Sequence, residues 1–297
     1  MKTIKSILTI LLIVAIAACD KVEGPYKVSP EPTPIDTANN NNNNSDTNYV
    51  FDATRRVLVE DYTGHECGNC PEAAEKLHEL MTIYGDKVVP MAVHAGFFAE
   101  TASAPFALDL RSTEGTSLDA AFGNSIAGNP NGMIGRKGYP STHILNLNSW
   151  NSVLSSIVSA APNAVLAIKN KYNVATTTVE TKVYTKFKTN LLGNYKLCIY
   201  LLEDSIIGAQ KDYRLAPAST VILDYRFDHV LRGSFNTAFG ETIATDPQAS
   251  EILVYRKSYT LNLTGKLLGI NNPCYVMAYL YNDVTKEVIQ ASIQKIK

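Results

Sequence analysis

The chain has 297 residues, of which 45% are hydrophobic and 19% are charged, so it has enough apolar residues for more than one folded core. Its 27 Lys and Arg residues nearly balance its 28 Asp and Glu residues, which argues against a nucleic-acid-binding protein with its usual basic excess. The five cysteines are too few for a disulfide-dense scaffold. Beyond the N-terminus, no apolar run reaches the roughly 20 residues of a membrane-spanning helix, which excludes a polytopic membrane protein.

Residues 1–19 are predicted to be a signal peptide. Lys2 and Lys5 precede an apolar stretch from Ile7 to Ile16, and small residues then precede Cys19. This arrangement resembles a bacterial lipoprotein signal, in which cleavage leaves the cysteine as an acylated first residue. The resemblance implies a membrane anchor at Cys19, because several acyl chains together give stable attachment. A plain secretory peptide that contains a cysteine is the alternative.

Residues 20–49 are predicted to be a disordered tether. They include four prolines and six consecutive asparagines, and they have too little apolar surface to form a core. A flexible segment of about 30 residues has a typical end-to-end distance of roughly 30 Å, so the folded part would stand clear of the membrane.

Residues 50–162 are predicted to form an α/β domain. Val57-Leu58-Val59 is typical of a buried strand, residues 71–84 have the apolar spacing of a helix, and residues 88–93 are predicted to be the next strand. The segment Cys67-Gly68-Asn69-Cys70 lies between the first strand and the helix. The two cysteines are therefore predicted at the N-terminus of a helix, within a β-α-β unit.

This position of the cysteines favours disulfide chemistry. Free N–H groups and the helix dipole stabilise a thiolate at a helix N-terminus, so Cys67 is predicted to be the attacking thiol. Cys70, one turn later, would close the disulfide and release a bound partner. Glu60 and Asp61 lie six or seven positions before Cys67, and either carboxylate is a candidate to accept the proton of Cys70.

The β-α-β unit with its dicysteine loop resembles the thioredoxin superfamily. In that superfamily a cis-proline lies opposite the dicysteine loop and helps to hold an extended substrate. Pro130 is our candidate for this residue, and Pro140 is the second choice. The sequence departs from many thioredoxins because His65 and Glu66, and no tryptophan, precede Cys67.

Two other interpretations of Cys67 and Cys70 stay open. The pair could hold zinc together with His65 or His78, although a single dicysteine pair lacks the second half that makes a zinc motif specific. The pair could also form an inert structural disulfide in an envelope protein. No cofactor is predicted under the leading interpretation.

Residues 163–297 are predicted to form an all-β domain, because seven strand-like runs follow one another with turn residues between them. Seven short strands favour an immunoglobulin-like antiparallel sandwich, and a closed barrel is the alternative. The predicted strands cover residues 165–168, 176–188, 197–202, 221–231, 252–263, 275–281 and 287–296.

Four residues of this second domain are conspicuous. Cys198 and Cys274 each fall in a predicted strand, where a buried thiol is expected and a disulfide between them is the alternative. His229 and Arg232 lie near the end of a predicted strand, and a structural role is expected because no nucleophile accompanies them. Exposed tyrosines in this half could form a binding surface, or they could pack the sheets.

The whole layout resembles one family, the outer membrane protein 28-related lipoproteins of Bacteroides-type bacteria. The resemblance rests on the signal ending at Cys19, on residues 57–64 leading into residues 67–71, and on three later segments, residues 202–210, 229–232 and 287–291. It implies a lipid-anchored outer membrane protein of the cell envelope, either periplasmic or surface-exposed, with a thioredoxin-like domain followed by a sandwich domain.

The leading hypothesis is therefore a thiol–disulfide oxidoreductase or redox-active chaperone of the cell envelope. Its partners would be exported or envelope proteins, bound as thiol substrates or ligands, and the membrane through the lipid anchor. The alternative is a non-enzymatic surface binding module or adhesin in which the disulfide is structural.

Overall fold

The computed structural model describes residues 35–36, 49–217, 220–261 and 272–296. The predicted signal peptide and its Cys19 lie outside the described residues, and so does the predicted tether except for residues 35, 36 and 49. The described part of the chain is mainly β-sheet.

Strands and helices alternate in the first part of the chain. Its strands are β1 (Ile35–Asp36), β2 (Val57–Thr63), β3 (Val88–His94) and β4 (Asn131–Ile134), and its helices are α1 (Cys70–Tyr84), α2 (Thr113–Phe122), α3 (Asn124–Ala127) and α4 (Leu147–Val158). Pro71 is accommodated in the first turn of α1 because that turn needs no intrahelical N–H donor. At the start of α2, the Ser112 hydroxyl accepts a hydrogen bond from the Gly115 N–H at 3.0 Å.

The described residues from Ala164 onward form mainly strands. These are β5 (Ala164–Asn173), β6 (Thr178–Phe187), β7 (Asn194–Glu203), β8 (Ile206–Lys211), β9 (Val221–Phe227), β10 (Val230–Ser234), β11 (Glu241–Thr245), β12 (Ile252–Thr260), β13 (Cys274–Asn282) and β14 (Val288–Lys295). A short 3-10 turn, Tyr213–Leu215, follows β8.

The largest sheet of the described residues has the order β14-β13-β7-β10-β3-β2-β4, and β11 also pairs with β7. Strands β2 and β3 are parallel, as a β-α-β crossover requires, and β4 runs antiparallel to β2. Strand β10 continues the sheet beside β3, with Val230 opposite Ala92. The sheet therefore takes strands from both sides of the predicted boundary at residues 162 and 163, and the division into two domains stays a prediction.

Three apolar clusters pack against this sheet. On one face of β2 and β4, helices α1 and α4 bury a cluster that includes Val59, Leu77, Leu80, Trp150 and Leu154. On the opposite face, Leu58, Val93 and Leu118 pack with the even-numbered residues of β7, Cys198, Tyr200 and Leu202. The odd-numbered residues of β7 face the second sheet, of order β1-β12-β6-β5, and bury a third cluster with Val183 and Leu253. Alternation along β7 thus joins two cores.

One predicted strand is divided in the structure. The pattern of residues 221–231 predicts a continuous strand, but β9 ends at Phe227 and β10 begins at Val230. His229 has φ +60°, which turns the chain, and its N–H donates to Asp204 at 2.7 Å. The Asp228 carboxylate in turn accepts the Ser205 N–H at 2.8 Å. Strand β9 consequently pairs with β8 in a separate hairpin, while β10 joins the large sheet.

Candidate functional site

Cys67 and Cys70 form a disulfide at the N-terminus of α1. The loop between β2 and α1 is held by backbone hydrogen bonds, from the Cys67 N–H to the Gly64 carbonyl at 3.0 Å and from the Cys70 N–H to the Cys67 carbonyl at 3.1 Å. Both cysteines are buried, with 3% of Cys67 and 1% of Cys70 exposed. The predicted strand–loop–helix setting of the pair is therefore present, but neither sulfur lies openly on the surface.

Asp61 lies on β2 beneath the disulfide loop and is 2% exposed. Its Oδ1 has no hydrogen-bond partner among the described residues. Burial raises the pKa of Asp61 from its ordinary 3.8 to about 7. A buried carboxyl group with a pKa near neutrality can both accept and return a proton at physiological pH.

Glu60, the neighbouring candidate, lies elsewhere. Successive side chains on a strand point to opposite faces, and Glu60 forms a buried two-point ion pair with Arg136, at 2.8 and 2.9 Å. The Arg136 guanidinium also lies 4.5 Å from the ring centre of Phe122 and 4.9 Å from that of Tyr279. The structure does not bring Glu60 to the disulfide, and its partner Arg136 was not predicted from the sequence.

A cavity of about 280 Å³ lies beside the disulfide, between α1 and β9. Its wall includes Asp61, Cys70, Ala74, His94, Gln210 and Phe227. His94 is buried, and this burial lowers its pKa to about 3, so its imidazole is neutral at physiological pH. His94 and Gln210 were not predicted from the sequence, although His94 ends β3 beside the loop that leaves β2, with Thr63 opposite it in the register.

The end of β8 and the turn that follows it contact the dicysteine loop, and Gln210 of this segment also lines the cavity. The Lys211 N–H donates to the His65 carbonyl and the Tyr213 N–H donates to the Gly68 carbonyl, both at 2.9 Å. The side-chain Nε2 of Gln210 donates to the Cys67 carbonyl at 3.0 Å. We call residues 210–213 the cover. A methyl group added to Gly68 would lie 2.4 Å from the Tyr213 ring, so the ring is packed closely on the loop.

Two ion pairs hold the cover in place. Lys211 Nζ lies 2.7 Å from a carboxylate oxygen of Glu66, within the dicysteine loop. Arg214, the residue after the cover, binds both carboxylate oxygens of Glu75 on α1, at 2.7 and 2.8 Å. The cover therefore contacts the loop and the helix that together carry the disulfide.

Pro130 lies at the same end of β2 as the dicysteine loop. It directly precedes β4, and the antiparallel register places Asn131 opposite Tyr62, close to where β2 ends. The Asn129–Pro130 and Tyr139–Pro140 peptide bonds are both cis. Pro130 is half-buried, whereas Pro140 is exposed beyond the far end of β4.

The histidines proposed for a metal site lie apart. His65 is hydrogen-bonded through Nε2 to the Glu100 carbonyl at 3.1 Å and stacks on Phe106, and burial lowers its pKa. His78 is exposed on α1, at the margin of the cavity. Among the described residues, no group of three or more His, Cys, Asp and Glu side chains is arranged to hold a metal ion.

The conspicuous residues of the second half have structural contacts. His229 Nδ1 lies 3.2 Å from the Asp204 carboxylate, and Arg232 donates to the Leu110 carbonyl at 3.0 Å. Cys198 and Cys274 are buried thiols and are not joined to each other within the described chain. Burial raises the pKa of the Cys198 thiol to about 11, so it is protonated at physiological pH.

Residues 117–297, more than half of the chain, match the family described as outer membrane protein Omp28. The chain belongs to the Omp28 family. This agrees with the outer membrane location that the sequence predicts. No curated protein matches the sequence. No helix in the described part of the chain has the length and hydropathy needed to cross a membrane.

Solved structures give a second comparison. The fold is similar to that of HBP35 of Porphyromonas gingivalis, with a TM-score of 0.60 and 17% identity over 82% of this chain and 76% of that one. A protein of Agrobacterium tumefaciens has a TM-score of 0.49 and 13% identity over 83% of this chain and 96% of that one. A domain of the outer membrane lipoprotein Omp28 from Porphyromonas gingivalis has a TM-score of 0.30 and 21% identity over 46% of this chain and 89% of that one.

Proposed function

We propose that this member of the Omp28 family exchanges thiols and disulfides at Cys67 and Cys70. One observation carries the proposal: the disulfide at the N-terminus of α1 shares a cavity with the buried carboxyl group of Asp61, whose Oδ1 has no hydrogen-bond partner among the described residues. Cysteine pairs that exchange disulfides need a stabilised thiolate and a group that takes up a proton. The helix N-terminus supplies the first and Asp61 the second.

In the reduced protein, the Cys67 thiolate attacks a sulfur of a substrate disulfide. The substrate disulfide breaks, one substrate sulfur leaves as a thiolate, and Cys67 is joined to the other. Cys70 then loses its proton to Asp61 and attacks the Cys67 sulfur, which releases the second substrate sulfur as a thiolate. The substrate gains two electrons and the protein is oxidised to the Cys67–Cys70 disulfide. The reverse sequence oxidises a dithiol substrate.

A thioredoxin-like fold for residues 50–162 and an immunoglobulin-like sandwich for residues 163–297 are part of this proposal. The first is supported by the parallel β2-α1-β3 unit, by β4 antiparallel to β2, and by the packing of α1 and α4 on one face of the sheet. Pro130 would then shape the groove that holds an extended substrate. The second is supported by the apolar cluster between the two facing sheets.

The partners follow from the predicted location. We propose that acylated Cys19 anchors the protein, that residues 20–49 carry it away from the lipid surface, and that exported or envelope proteins are its thiol substrates. The outer membrane family to which the chain belongs supports the envelope location. The sandwich would hold or select the substrate.

The test is a trapping experiment in the envelope of the native cell. In Cys70→Ser, Cys67 can attack a substrate but nothing releases it, so covalent adducts that disappear on reduction are expected. The double variant Cys67→Ser, Cys70→Ser is the matched control and should give none. If Cys70→Ser gives no more adducts than the double variant, disulfide exchange with envelope proteins is wrong.

A second candidate function is favoured by the burial of both sulfurs under the cover. In this alternative the protein is a non-enzymatic surface binding module or adhesin, and the disulfide only fixes the loop. The double cysteine variant would then be less stable, but would keep its binding to envelope or surface ligands.

A further inference from the structure

We propose that the cavity beside the disulfide admits a low-molecular-weight thiol, which reduces the protein by attacking the sulfur of Cys70. This inference rests on the proposed function and deepens it, because it names the class of molecule that regenerates the reduced pair. It also gives the two cysteines different partners. Protein substrates react at Cys67 from the cover side, whereas the small thiol reacts at Cys70 from the cavity side.

The cover side is closed to small molecules while the cover stays in place. The N–H groups of Lys211 and Tyr213, two residues apart, bind two carbonyls of the loop in the manner of an extended peptide. The side-chain amide of Gln210 binds a third carbonyl, that of Cys67. An extended segment of a protein substrate could replace these hydrogen bonds, but a small thiol has no backbone with which to do so. Reaction at Cys67 therefore favours polypeptides.

The cavity side offers a separate approach. Cys70 forms part of the cavity wall, whereas Cys67 does not. The volume of about 280 Å³ is slightly below the range of drug-sized ligand sites, about 300–1,000 Å³. It suits a thiol of a few carbon atoms and excludes a folded protein. Ala74, from α1, and Phe227, from β9, supply apolar wall for the aliphatic part of such a ligand.

The cavity also holds groups that can take the proton of an incoming thiol. Asp61 and His94 both line it, and both are buried. Asp61 Oδ1 and His94 Nδ1 have no hydrogen-bond partner within the described residues. Buried polar atoms are usually hydrogen-bonded, so two unpaired polar atoms on residues of one cavity wall indicate a place where a polar ligand binds. Ionised Asp61 would accept the proton as the thiol becomes a thiolate.

The direction of attack agrees with the chemistry of disulfides. Exchange is faster when the leaving sulfur is the more stable thiolate. Attack on Cys70 makes Cys67 the leaving group, and Cys67 lies before the first turn of α1, where free N–H groups stabilise a negative charge.

Two thiols are consumed in each cycle. The first thiolate bonds to the Cys70 sulfur as the Cys67–Cys70 bond breaks, and the Cys67 thiolate takes a proton. A second thiolate then attacks the bound small-molecule sulfur and releases Cys70, which also takes a proton. The products are the dithiol protein and a small-molecule disulfide, so two electrons pass from two thiols to the protein.

The first test fills the cavity in the purified full chain. Ala74→Phe places a ring in the cavity, and Ala120→Phe is the matched control on the exposed side of α2. Reduction of the disulfide by 2-mercaptoethanol should slow at least tenfold in Ala74→Phe and stay within twofold in Ala120→Phe. Equal rates in the wild type and a folded Ala74→Phe would overturn the proposal.

The second test locates the reacting sulfur and does not depend on the folding of Ala74→Phe. Cys67→Ser leaves the Cys70 thiol in the cavity wall, and Cys70→Ser leaves the Cys67 thiol under the cover. With bis(2-hydroxyethyl) disulfide as the small probe and insulin as the protein disulfide, the ratio of the small-probe rate to the protein rate should be at least tenfold higher for Cys70 than for Cys67, as measured by mass spectrometry. The ratio cancels the difference in thiolate content between the two cysteines. An equal or higher ratio for Cys67 would overturn the proposal.

The cavity route and the proposed function can be tested separately. If the wild-type disulfide exchanges reversibly with 2-mercaptoethanol but both tests give the opposite result, the cavity route is wrong and the proposed function stands. If the wild-type disulfide cannot be reduced reversibly by any thiol, the proposed function itself is wrong.

Discussion

Replacing Asp61 with asparagine should stabilise the protein, and the gain should grow with pH. Asp61 is 2% exposed and its Oδ1 has no partner among the described residues. The asparagine side chain would keep the shape of the aspartate without its charge. A buried acidic group that lowers the stability of the folded protein is more typical of a functional residue than of a structural one.

The magnitude follows from the pKa of Asp61, which burial raises from 3.8 to about 7. Between these two values the folded carboxyl group holds a proton that the unfolded one has lost, so stability falls as pH rises. A pKa difference of about three corresponds to roughly 4 kcal/mol in the free energy of unfolding. Above pH 7 the protein has lost this contribution in full. Because roughly 1.6 kcal/mol is already lost at pH 5, Asp61→Asn should gain a further 2–3 kcal/mol over the wild type between pH 5 and pH 8.

The assay is urea unfolding of the oxidised protein at several pH values from 5 to 8, followed through the fluorescence of Trp150, the only tryptophan in the sequence. The other titratable groups at the cavity, among them His94 and His229, are common to both proteins and cancel in the difference. Asp224→Asn, at an exposed position on β9, is the control and should show no such trend. A difference between Asp61→Asn and the wild type that is independent of pH would refute the reasoning.

Three further predictions concern the neighbours of the site. Glu60→Gln leaves the buried Arg136 charge without its partner and should lower the free energy of unfolding by about 3–5 kcal/mol, while the rate of disulfide exchange by the folded protein stays unchanged. A large loss of exchange rate without a loss of stability would show that Glu60 takes part in the reaction. Gly68→Ala should push the Tyr213 ring off the loop and raise the rate of reduction by a bulky protein thiol several-fold, and adding Tyr213→Ala should give no further increase; an unchanged rate in both would show that the cover does not limit access. Leu80→Ala removes a fully buried side chain between α1 and the sheet and should lower the unfolding free energy by about 2–5 kcal/mol in urea titrations; a loss below about 1 kcal/mol would mean that this core is not packed as described.

Local sequence pattern was sufficient for the strand, the loop and the helix that hold Cys67 and Cys70. The apolar run of β2, the turn residues after it and the helical spacing after Pro71 all lie within 30 residues, so short-range patterns determine them. The same patterns could have separated the two acidic candidates. Alternation along β2 places Asp61 and Glu60 on opposite faces, and only one of them can lie beneath the disulfide.

The contacts of the cover and the partner of Glu60 could not be predicted from local sequence patterns. Gln210 and Tyr213 lie more than 140 residues from the loop that they contact, and nothing in their own segment indicates that contact. The turn at His229 was missed because it depends on the distant carboxylate of Asp204, while its own residues have the pattern of a continuous strand. Such long-range pairings form only when the whole sheet is assembled.

The reduction potential of the Cys67–Cys70 pair tests the central claim most directly. The purified full chain would be equilibrated in graded thiol buffers, and the alkylated cysteines would be assigned by mass spectrometry, with Cys198 and Cys274 as buried internal references. Disulfide exchange predicts a reversible potential between roughly −120 and −270 mV, the range of known exchange catalysts. A potential below about −300 mV would mark a structural disulfide and contradict the account.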